Sequence, residues 1–161
     1  MFYKITNFFY NIKRLLDYIP IIWRDRDWDE FFLYDLMQFK LGRMLNHFRN
    51  HSLVDWQEED LQALQKCVIL LGRLVDSEYY HKMAYTEHEK RWGEIRHTFK
   101  EGDRPGYKIC NLYWENAKTP EEEEQASREL MDCHNKEYEL QDKDLKEVCD
   151  LIYKYSRVWW D

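Results

Sequence analysis

The 161-residue chain carries 31 acidic side chains against 24 Lys and Arg, a formal net charge of −7. That balance excludes general binding to duplex or single-stranded nucleic acid. Hydrophobic residues make up 44% and charged residues 34%, so the chain reads as globular, its length fitting one helical domain over residues 1–161.

The first element is a helix. Apolar residues recur at Phe2, Ile5, Phe8, Phe9, Ile12, Leu15 and Leu16, which is helical spacing. Pro20 is expected to stop it, because the residue before a proline disfavours the α region. Lys13, Arg14 and Asp17 interrupt the apolar run, leaving no stretch of ~18 unbroken apolar residues for a membrane span. No membrane partner is expected, and no signal-peptide cleavage site is evident; an amphipathic helix on a membrane surface is the alternative for this segment.

The stretch "PIIWRDRDWDEFF" (residues 20–32) leads into a second helix with one broad apolar face running from Trp28 to Phe48. Asp27 or Asp29 is placed to cap it, and it is expected to fray around residues 50–52. A third helix opens at Asp55-Trp56-Gln57-Glu58, which resembles a capping box, and is expected to run past Tyr85 toward Trp92. Gly72 is a weak spot in it rather than a stop. Periodicity fails over residues 93–118, read as one long irregular loop in which "YKICNLYWEN" is extended or a short strand.

The last helix has the clearest start. Thr119 caps it, Pro120 takes the first turn and Glu121–Glu124 load its positive end. A stripe from Leu130 through His134, Tyr138, Leu145, Val148, Ile152 and Tyr155 to Trp159 then runs unbroken by Gly or Pro. About 40 residues would span roughly 60 Å, more than a single domain of this size needs. The helix is therefore expected to break or to find a partner chain, most simply as a homo-oligomer, a dimer or higher. The fold class is all-α, a bundle of about four helices.

Chemistry is sparse. Asp25, Asp27 and Asp29 have the opening spacing of a calcium-binding EF-hand loop, but Glu30 and Leu36 stand where that loop needs glycine and a bidentate glutamate. His47 and His51, and His81 and His88, are pairs without a third ligand. Cys67, Cys110, Cys133 and Cys149 form no CxxC pair, and reduced thiols are expected. No nucleophile motif or phosphate-binding glycine loop is present. The expectation is a protein that is not an enzyme and holds no metal and no cofactor.

Recognition is left. "WRDRDWD", "YTEHEKRWGE" and the terminal "SRVWWD" place arginines beside aromatic rings, a combination that stacks a base and forks a phosphate. The candidate ligand-binding residues are Arg24, Arg26, Trp28, Tyr85, His88, Arg91, Trp92 and Trp159, with Arg24 or Arg26 facing a cleft shared with Tyr85, Arg91 and Trp92. The expected ligand is a small anionic nucleotide. The competing reading is that these clusters pack together and pin the helix ends.

"IPIIWRDRDWD", "AYTEHEKRWGE", "KTPEEEEQ" and the closing "WWD" also resemble a widespread family of small uncharacterised proteins of tailed bacteriophages, along nearly the whole chain. That resemblance brings no established reaction. It implies a counter-defence protein in the cytoplasm of the infected bacterial host, one that sequesters a nucleotide-type immune signal without cleaving it. The alternatives are a helical inhibitor that binds a host defence protein directly, or a structural or assembly accessory protein.

Overall fold

The computed structural model describes residues 2–24, 30–50 and 58–160, with the backbone alone for residues 2–6, 77 and 160. Among them are five helices and one two-stranded sheet: α1 (Phe2–Ile22), α2 (Glu30–Asn50), α3 (Glu58–Val75), α4 (Ser77–Trp92), β1 (Ile95–Glu101), β2 (Lys108–Trp114) and α5 (Pro120–Trp160). The fold is mostly all-α. The expected starts at Asp27 or Asp29 and at Asp55 lie outside the described residues.

Three boundaries differ from expectation. α1 runs through Pro20 to Ile22. A proline near a helix end removes one backbone donor, while the Trp23 N–H still reaches the Ile19 carbonyl at 2.8 Å and Ile21 is buried. The third helix is two helices, divided at Asp76. There the backbone turns extended (φ −83°, ψ 96°) and the side chain accepts the Glu78 N–H at 3.1 Å, so a cap interrupts a continuous apolar pattern. Residues 93–118 are not an irregular loop but carry an antiparallel hairpin, with Ile95 opposite Trp114 and Glu101 opposite Lys108. The segment read as extended is its second strand.

The described chain divides into two compact units, residues 1–75 with 144–161, and residues 76–143. In the first, α2 and α3 bury Leu41, Met44 and Leu45 against Leu64, Cys67, Leu71 and Leu74. The C-terminal part of α5 adds Val148 and Trp159 to this core. Arg73 pairs with Asp144 at 3.4 Å and the Tyr155 hydroxyl donates to Glu59 at 2.6 Å. In the second unit, Trp92, Trp114 and Ala126 form a cluster with Leu130 and Ala117 against it.

α5 opens as a full capping box. Thr119 Oγ1 accepts the Glu122 N–H at 3.2 Å, and the Glu122 carboxylate reaches back to the Thr119 N–H at 3.2 Å and to that of Lys118 at 2.7 Å. The helix then runs 41 residues without a break. Of its expected buried positions, Val148 is fully buried, whereas Leu130, Leu145 and Ile152 are half-buried. Its length is used in both units: Ala126 belongs to one core, Val148 and Trp159 to the other.

Candidate functional site

In the second unit, helical spacing sets His81, Tyr85 and His88 on one face of α4. The His81 ring stacks on Tyr85 with centroids 4.2 Å apart, and its Nε2 lies 3.3 Å from Glu89. The Tyr85 hydroxyl shares a 2.7 Å hydrogen bond with His134 Nδ1 of α5. Burial, above all, and then the Glu137 carboxylate raise the Tyr85 phenol well above its ordinary range. His88 is buried and donates from Nε2 to the Ala126 carbonyl at 3.0 Å.

These groups line a cleft of about 820 Å³ together with Glu94, Glu115 and Glu137. Gly93 closes α4 beside it with φ 73°, its N–H bonded to the Glu89 carbonyl at 2.8 Å; a Cβ there would stand 3.1 Å from Glu115 Cβ. Four glutamates and no Lys or Arg stand among the described residues of this wall. Phosphate groups would meet like charge here.

The two expected ligand residues at the end of α4 are engaged elsewhere. Arg91 Nη1 meets Glu129 Oε1 at 2.8 Å, and Trp92 Nε1 donates to Glu129 Oε2 at 2.6 Å, with the guanidinium 4.6 Å over the Trp92 ring. One carboxylate thus clasps both tips. The Trp92 N–H, helped by Gln125 and Arg91, holds the Glu129 carboxyl below its ordinary value against the opposing effect of burial.

The first unit presents the opposite electrostatics. Lys40, Arg43 and His47 follow one another at three- and four-residue spacing along α2, with Met44 beside Arg43, and Tyr10 and Arg14 stand one turn apart on α1. With Trp159 of α5 they line a cleft of about 440 Å³ whose described wall has four basic side chains and no acidic one. The Arg14 guanidinium lies 4.4 Å over the Tyr10 ring. Arg43 Nη1 is held by Asp17 at 2.6 Å and its guanidinium lies 5.5 Å over Phe39, which ties α1 to α2. Trp159 is 2% exposed, and its Nε1 donates to the Asp60 carbonyl at 3.2 Å. On a chain of net charge −7, this clustering gives a local positive field.

Of the candidate residues, Tyr85 and His88 line the glutamate-rich cleft, Arg91 and Trp92 form the Glu129 clasp, and Trp159 lines the basic cleft. Arg24 is exposed just beyond α1 and falls in the first unit. Arg26 and Trp28 lie outside the described residues. The sequence reading missed Arg14, Lys40, Arg43 and His47 as a set. The helical spacing of the last three was a signal, but only the contact of α1 with α2 adds Tyr10 and Arg14.

Among the described residues no group of three His, Cys, Asp or Glu side chains could hold a metal ion, and no helix is long and apolar enough to cross a membrane. Comparison with protein-family models, curated proteins and solved structures returns no match.

Proposed function

We propose that this protein binds and sequesters a small nucleotide-type anion in the basic cleft of its first unit, as a counter-defence protein acting in an infected bacterial cell. The carrying observation is the convergence of Arg14, Lys40, Arg43 and His47 with Tyr10 and Trp159 around one cavity. Guanidinium and ammonium groups hold phosphate oxygens, and the exposed Tyr10 ring offers a face to a base, while the buried Trp159 serves as wall. The phage-family resemblance supplies the biological setting.

The test is calorimetric titration with a panel of cyclic mono- and dinucleotides, followed by heating to recover the bound molecule. Binding of at least one panel member with intact release is expected. Arg14→Ala or Lys40→Ala should weaken binding roughly tenfold or more, since each removes a charge-assisted contact, without moving the melting temperature by more than a few degrees. A panel with no binder sinks this reading, and recovery of cleaved product replaces sequestration with catalysis.

A further inference from the structure

α1 is mounted with its more polar side inward. Asp17 pairs with Arg43, Tyr18 meets Phe39 edge to face at 4.9 Å, and Arg14 and Tyr10 turn to the basic cleft. The opposite side carries Phe8, Ile12, Leu15, Ile19 and Ile22, each more than a third exposed and Leu15 as much as 64%. Their spacing alternates four and three residues throughout, which is the a/d pattern of a coiled-coil seam repeating every 3.5 residues. Phe9, Leu16 and Trp23 widen the seam along one flank, Trp23 being 86% exposed.

At about 150–250 Å² for a whole aromatic side chain, these eight side chains expose on the order of 1,000 Å². The largest apolar patch on an ordinary monomer is about 300–600 Å², and each partner in a standard interface gives up about 800 Å². The face is thus large enough for a stable dimer and larger than a monomer ordinarily leaves in water.

The geometry points to a second copy of this chain as the occupant, the two α1 helices packing seam to seam. A heptad seam is complementary to another helix with the same repeat, and the second copy carries it. A lipid surface fits less well. Interfacial helices offer a cationic polar face to anionic headgroups, whereas here Asp17 is paired with Arg43, Arg14 faces the basic cleft and the whole chain is at −7. Because Tyr10 and Arg14 sit on the other side of the same helix, the dimer also braces one wall of the basic cleft from behind.

Sedimentation velocity of the full chain at micromolar concentration tests this with no ligand present, so its outcome is independent of the nucleotide reading. A species of twice the 20.2 kDa chain mass is expected. The double variant Leu15→Glu, Ile19→Glu should sediment as a single chain with an unchanged far-ultraviolet circular dichroism spectrum. A wild-type monomer overturns the proposal, whether or not it floats with phosphatidylcholine–phosphatidylglycerol vesicles, and so does a double variant that stays dimeric. Should the charged variant fail to fold, Leu15→Ala decides: a dimer Kd raised roughly tenfold supports the seam, and an unchanged Kd overturns it.

Discussion

Glu129 shows how a single side chain settles between recognition and structure. "EKRWGE" offers an arginine beside a tryptophan, and the same pair serves a ligand or a clasp equally well on paper. The carboxylate that takes both tips comes from α5, 37 residues beyond Trp92. Replacing Glu129 with Ala should cost about 1–3 kcal/mol, because the part-buried Trp92 N–H loses its acceptor; urea denaturation at neutral pH measures it. The pH dependence follows from the direction of the shift. Glu129 binds its proton less readily folded than unfolded, so its stabilisation is fully present above the ordinary value of 4.5 and is lost as pH falls through the lowered folded value. Glu129→Gln should therefore be less stable than the parent near neutrality and match it in acid, so that its loss of stability on acidification is flatter. A variant that loses stability in acid as steeply as the parent would remove Glu129 from the clasp.

Among the elements, those with local chemistry were the legible ones. The start of α5 was readable because Thr119, Pro120 and the glutamates act on backbone groups within one turn. Thr119→Ala should cost about 1 kcal/mol, read as a lowered urea midpoint. Glu122→Ala should cost a similar amount by opening the other half of the box, and their sum should exceed the double variant, since the two groups serve one another. The division at Asp76 was less legible, because apolar spacing continues across it while a single carboxylate turns the backbone. The hairpin was half legible: "YKICNLYWEN" has strand composition, but the pairing partner Ile95–Glu101 mixes Arg, His, Lys and Glu and reads as polar loop. Strand pairing supplies backbone hydrogen bonds that no side-chain pattern announces.

For the whole molecule, the consequential feature is the uneven distribution of charge. A net −7 repels anions at long range, yet the basic cleft attracts them at close quarters. Binding of a nucleotide-type anion there should weaken several-fold as ionic strength rises from low to physiological, because the exposed basic groups are screened over about 8–10 Å. Titration across a sodium chloride series checks this; an affinity indifferent to salt would separate the ligand from those side chains.

The sequence by itself determined the helical class, the apolar faces, the start of α5 and the acidic balance, all set by interactions within a few residues or by composition. Only the tertiary structure decided which basic side chains gather at one cleft. Arg91 is engaged because α5 brings Glu129 to it, and Arg14, Lys40, Arg43 and His47 become one site because α1 lies on α2. It also decided which side of α1 meets the protein. Helical periodicity marks an apolar face, but whether that face turns inward depends on what the rest of the chain brings against it, and here the polar side found Arg43 and Phe39.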